Sequence, residues 1–148
     1  MLTIHAADEV RRGWDSAPMA DAGVAVEGDR VAGVGPLDEL RERFPGARVR
    51  RWPGVLGPAL VHEGPLPEAP SPRERVHAVL KSGATAVLAA YADTADLRTA
   101  ASRNDVAVLG GTRRTAITDT ERADLAVFDA DGTCVATVCA GRLVHRRR

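Results

Sequence analysis

The chain has 148 residues, 45% hydrophobic and 27% charged, and its 20 basic residues balance its 20 acidic ones. This is ordinary globular composition for one domain, or one domain with an appendage, and a chain of this size buries roughly 70% of its unfolded surface. It is too short for a complete (β/α)8 barrel, which takes about 200 residues or more, and a zero net charge argues against a general nucleic-acid or polyanion binder.

The first third reads as β. Leu2 to Ala6 suits a short strand, and residues 9 to 21, polar and broken by Gly13 and Pro18, suit a loop or ragged hairpin. Ala22 to Val26 and Arg30 to Val34 are β-rich runs flanking Glu27-Gly28-Asp29, which is a hairpin signal. Pro36 to Phe44 suits a short helix with Leu37, Leu40 and Phe44 on one face and Gly46 beyond its end. Arg48 to Trp52 resumes as a strand. Six of the nine prolines then fall between residues 53 and 72, so that stretch reads as a semi-rigid connector holding one short strand, Ala59 to His62.

The pattern switches at Ser71. Ser71-Pro72-Arg73-Glu74 is a capping box with Pro at the first helical position, Val76, Val79 and Leu80 form an apolar face, and Gly83 supplies a left-handed stop. Thr85 to Ala90 reads as a strand buried on both faces. Asp93 or Thr94 can cap a second helix carrying Leu97, Ala100 and Ala101, and Val106 to Leu109 reads as another buried strand. This order predicts a βαβ unit with parallel strands and a right-handed crossover. The last third returns to an antiparallel meander: Ala123 to Phe128, Val135 to Ala140 and Leu143 to His145, separated by turns at Asp131-Gly132 and Gly141-Arg142.

Three segments together resemble a known family. AGVAVEGDRVAGVG at 22–35 resembles the opening β unit of amidohydrolase-superfamily enzymes, and WPGVLGPALV at 52–61 resembles the approach to their first barrel strand. ADLAVFDADGTCVATVCAGRLVH at 123–145 resembles their closing segment. The resemblance is strongest to the imidazolonepropionase-like composite domain and takes in residues 20–63 and 120–146. It implies an α+β fold in which both chain segments build one β-sandwich composite domain, 1–63 with 113–148. A small βαβ insertion at 64–112 then stands where the family's catalytic barrel would be.

The departures from the family bear directly on function. The family places a metal-binding His-x-His just after the Pro-Gly-hydrophobic stretch. Aligning Pro58 to Val61 puts His62 and Glu63 one and two positions early, with Gly64 and Leu66 at the expected His positions. The other histidines are His5 in the first strand, His77 on the predicted helix and His145 in the last strand, and the one lysine, Lys81, lies near a helix end. His62 and Glu63 remain the weak catalytic candidates, but zinc sites want three or four protein ligands and adjacent strand residues point to opposite faces.

Other motifs read as structure. Ile117-Thr118-Asp119 resembles the family's catalytic Thr-Asp, yet lies too close to Ala123-Asp124-Leu125, so Asp119 is expected in a surface loop. Cys134 and Cys139, five apart in one strand, are expected on opposite faces as small buried hydrophobes, and two cysteines make no disulfide framework. Gly110-Gly111-Thr112 precedes no clear helix N-terminus, so it reads as a flexible loop rather than a phosphate cradle. Arg146 to Arg148 reads as a solvated basic cluster. No catalytic, metal or cofactor set is expected. No apolar run approaches the roughly 18 residues of a membrane span, and the first twelve residues show no secretory pattern. The expectation is a cytoplasmic protein without nucleic-acid or membrane contacts. It has lost metal-dependent hydrolysis and acts as a binding or interaction module, as a homodimer because a two-strand α/β piece is marginal alone. The alternatives are hydrolysis of a non-peptide carbon–nitrogen bond and a regulatory partner of a full-length enzyme.

Overall fold

A computed structural model of the chain describes residues 2–147. In chain order the elements are β1 (Leu2–Val10), β2 (Met19–Glu27), β3 (Arg30–Pro36), α1 (Leu37–Arg43), β4 (Arg48–Pro58), β5 (Leu60–His62), α2 (Pro72–Lys81), β6 (Ala84–Leu88), α3 (Ala95–Arg103), β7 (Ala107–Leu109), β8 (Leu125–Phe128), β9 (Cys134–Cys139) and β10 (Arg142–Arg146). The chain is α+β and mostly sheet, as its composition and turn pattern predict.

Seven strands form one sheet in the order β10-β9-β8-β4-β1-β2-β3. The head and tail of the sequence meet at the β4–β8 seam, antiparallel, with Pro58 opposite Leu125 and Val55 opposite Phe128. Hydrogen bonding is continuous across the seven strands, and the sheet curls rather than lying flat. Four strand spacings separate β8 from β3, about 19 Å in a flat sheet. Yet the Val31 amide of β3 donates to Glu121 O at 2.9 Å and the Ala123 amide donates to Asp29 O at 2.7 Å. The curl encloses a core of Val24, Val26, Val31, Leu56, Leu125, Val127 and Val138, drawn from both halves. At the closure, Gly141 (φ +81°) lies so near the Gly28 turn that a Cβ would stand 1.9 Å from Gly28 O.

Several strands outrun their sequence signals. β1 extends to Val10 because it is central, paired with β2 on one side and with β4, in parallel, on the other. β4 passes through Pro53, where a connector is expected. A bulge explains this: the register steps from Ala7–Trp52 to Glu9–Val55, leaving Pro53 and Gly54 opposite Asp8. Proline's missing donor is harmless at a bulge. Gly54 adopts φ +96° and donates its amide to the Asp8 carboxylate at 3.0 Å. Trp14, in the loop before β2, donates Nε1–H to Pro58 O at 2.8 Å and packs edge-on against Phe128.

β5, β6 and β7 form a second, parallel sheet in that order. The strand expected within the proline-rich segment therefore becomes a third member of the predicted parallel unit. The capping box forms as read, with Ser71 Oγ accepting the Glu74 amide at 3.2 Å, and Thr94 Oγ1 caps α3 by accepting the Leu97 amide at 3.1 Å. The helices bury Val76, Val79, Leu80, Leu97 and Ala101 together with Ala84 and Val87 of β6 and Cys139 of β9. They thus lie between the small sheet and the outer face of the large one. Thr137 of β9 donates its hydroxyl to Leu80 O at 2.7 Å, stitching the two. β7 is not the buried strand expected. It is an edge strand, and Val108 is 38% exposed.

The cysteines also depart from expectation. A bulge in β9 sets Phe128 opposite Cys134 but Val127 opposite Ala136, so Val135 is extra. This reverses the alternation and turns Cys134 to the side of Thr137, with Sγ 3.3 Å from Thr137 Oγ1.

Candidate functional site

Where the chain leaves β4 for β5 it opens a cleft of about 660 Å3 between the two sheets. One wall is the run Pro58 to Val61 with Thr85 and Ala86 of β6. The other is the irregular segment between β7 and β8, which presents Arg113, Arg114, Thr115 and Thr118, and then Glu121, Arg122 and Asp124. Arg30, at the start of β3, completes it because Arg30 bridges to Arg122 as the sheet curls over.

Its electrostatics are uneven. Arg122 Nε contacts both Asp124 carboxylate oxygens, at 3.0 and 2.8 Å, and Asp124 Oδ1 also accepts the Ala140 amide at 3.0 Å. Partial burial works against the Arg122 charge, but the Asp124 hydrogen bond and charge outweigh it and hold the guanidinium protonated more firmly than usual. Arg114 is ion-paired with Asp15 of the loop after β1, and that hydrogen bond holds the Asp15 carboxyl below the usual carboxylate range. Arg113 has no ion pair among the described residues.

The candidates read from sequence lie elsewhere. His62 ends β5 with Nε2 2.9 Å from Pro65 O, so the ring is tied to its own loop, and Glu63 beside it is exposed. Neither lines the cleft. His5 is buried in β1, where Nδ1 accepts the Trp52 indole N–H at 3.1 Å; burial, with a smaller push from Arg50, lowers its pKa to about 4. His77 is exposed on α2, and His145 Nε2 lies 3.3 Å from Cys134 O. Lys81 is exposed at the end of α2. Thr118 reaches the cleft, but Asp119 is exposed in the loop expected for it. Gly110 to Thr112 is exposed and no helix follows. Burial pushes both thiols up, Cys139 to about 11, so both stay protonated near neutrality. What the sequence did not reveal is the arginine set, because positions 30, 113, 114 and 122 share no local spacing.

Residues 22–47 match the family described as imidazolonepropionase-like composite domain, bacteria. Over these residues the chain is similar to that composite domain. Solved structures share the fold. Guanine deaminase of E. coli aligns with a TM-score of 0.56 and 15% identity over 73% of this chain and 35% of that one. An adenosine deaminase from Xanthomonas campestris with bound Zn gives 0.54 and 20% over 72% and 33%. Ochratoxinase of A. niger gives 0.52 and 18% over 72% and 30%. The chain thus spans about a third of the length of these relatives. No curated protein matches it.

The adenosine deaminase holds Zn, which raises the question of whether the side chains here could hold a metal ion. Among the described residues no three His, Cys, Asp or Glu side chains converge where they would hold a metal ion, and the four histidines sit on separate elements. A three- or four-ligand zinc centre does not fit these side chains. No helix among the described residues is long and apolar enough to cross a membrane.

Proposed function

We propose that this chain is an amidohydrolase-like composite domain that acts by binding rather than by metal-dependent hydrolysis. In this reading the curled sheet is the composite sandwich, built from 1–63 and 113–148, and 64–112 is an insertion standing where a barrel would. One observation carries the reading: the metal-ligating side chains are dispersed, with His62 turned to Pro65 O instead of toward a shared centre. Metal analysis of protein purified without chelator tests it. The expected result is far less than one equivalent of zinc or manganese. A stoichiometric metal that survives dialysis overturns it.

A second reading, hydrolysis of a non-peptide carbon–nitrogen bond through His62 and Glu63, has in its favour that His62 stands at the C-terminal end of a parallel strand, where barrel enzymes place catalytic groups. It needs further ligands from another chain. A deaminase or amidase activity abolished by His62→Ala and by chelation establishes it; activity indifferent to both ends it. For the binding module we propose a homodimer that covers the free edges of β5 and β7, since edge strands of a short parallel sheet are unpaired. A light-scattering mass of one chain at micromolar concentration contradicts the dimer. A docked full-length enzyme is the other occupant of these edges, and a native pull-down that recovers none excludes it.

A further inference from the structure

We propose that the cleft between the two sheets binds a small organic anion, a phosphate or carboxylate on a short apolar body. The inference deepens the binding-module reading and rests on it. At about 660 Å3 the cleft has the size of a small-molecule site, commonly about 300–1,000 Å3. The chain as a whole is neutral, yet this concavity is lined by Arg30, Arg113, Arg114 and Arg122; Arg114 is paired with Asp15 and Arg122 with Asp124, which leaves Arg30 and Arg113 to face Glu121. Asp124 is already committed, accepting from Arg122 and from the Ala140 amide. Arg30 contacts Asp29 only at 3.5 Å, with both side chains 59% exposed, and Arg113 has no ion pair among the described residues. A guanidinium without a close acidic partner in a concave wall attracts an anion that enters. Guanidinium is the group whose planar fork matches carboxylate and phosphate oxygens two at a time. The facing wall is chemically different: half-buried Leu60 and Val61, backed by buried Pro58 and Ala86, offer an apolar shelf for the body of the ligand.

The two walls also come from separate parts of the chain. The segment 113–118 is tied to the loop between β1 and β2 by the Ile117 amide on Arg12 O at 2.7 Å and by Arg114 on Asp15. The arginines are therefore held over the shelf rather than left on a free loop.

Titration with phenyl phosphate and with benzoate at low salt, followed by calorimetry and amide chemical shifts, tests the proposal, with benzamide as the neutral control. At least one anion is expected to bind, shifting amides of 58–61 and 113–118, while benzamide does not; which of the two binds more tightly identifies the head group. Affinity is expected to fall about tenfold or more in the double variant Arg113→Gln with Arg114→Gln. Lysine at both positions should restore part of it, and Arg103→Gln, on the exposed face of α3, should change nothing. Inorganic phosphate is expected to bind more weakly than phenyl phosphate; equal affinity overturns the role of the apolar shelf. No binding of either anion at millimolar concentration, or equal binding by the double variant, overturns the site. A metal-loaded protein that still binds phenyl phosphate sinks only the non-hydrolytic reading. A metal-free protein that ignores both anions sinks only this one.

Discussion

The two sheets of this molecule are stabilised in different ways. In the curled sheet β1 and β4 run for nine and eleven residues, and the closing contacts are backbone against backbone, at Gly54 over Phe128 O and Gly141 over Gly28 O. In the parallel sheet the strands have three, five and three residues, and among the described residues both outer strands lack an outer neighbour. Its order comes from α2 and α3, and theirs in part from β9, through Cys139 and the Thr137–Leu80 hydrogen bond. The comparison teaches that the large sheet is held by geometry that tolerates almost no added atom, whereas the small one is held by side-chain packing against its neighbour.

Gly54→Ala breaks that comparison most severely if it is wrong. A Cβ there would lie 2.1 Å from Phe128 O at φ +96°, so strain and collision act together. The expected loss is about 4 kcal/mol or more in urea unfolding. Gly110→Ala, after β7, meets nothing within 4 Å at an ordinary φ, and its expected change is within about 0.5 kcal/mol. Similar effects from the two substitutions would mean that β4 can yield.

The pH dependence of stability probes the large sheet from inside. His5 is neutral in the fold and titrates at about 4, against 6.5 in the unfolded chain. Between those values the unfolded state binds the extra proton. The contribution is therefore fully present above pH 6.5 and is lost progressively as pH falls to about 4, a span of roughly 3 kcal/mol. Urea midpoints at pH 7, 5.5 and 4 should show the slope, and His5→Gln should flatten it while lowering stability throughout. An unchanged slope in that variant would place the titrating group elsewhere.

The smallest effect is the most discriminating. Ser71→Ala and Thr94→Ala each remove a helix cap and should cost about 1 kcal/mol. Hydrogen exchange should quicken in α2, α3 and β5 to β7 while the amides of β1, β2 and β4 keep their protection. Uniform loosening of the whole chain would show that the two regions unfold as one unit.

Much of the fold was legible because its signals are local. The Ser71–Glu74 box, the Thr94 cap, the Gly28 turn and the closing meander each need only a few neighbouring residues, and the family likeness of the two ends pointed to their meeting. What escaped depended on distant partners. Pro53 sits in β4 only because Asp8 faces it across a bulge, and Cys134 changes side only because β9 bulges against β8. β7 carries a buried-strand sequence but pairs only with β6, so its outer edge stays open among the described residues. The candidate site was the least legible part. His62 and Glu63 were visible as a local motif and proved to be bound up in their own loop. The arginine cleft exists only once Arg30 is carried over the segment that holds Arg113 and Arg122.

The seam between β4 and β8 has a consequence for biosynthesis. β8 and its two successors are translated after β4, so the growing chain presents β4 with one hydrogen-bonding edge vacant while the helices are still emerging. Such long-range pairing folds slowly, and an unpaired strand invites intermolecular association. Val55 to Pro58 is the stretch of β4 that stays unpaired on that side until Leu125 to Phe128 arrive.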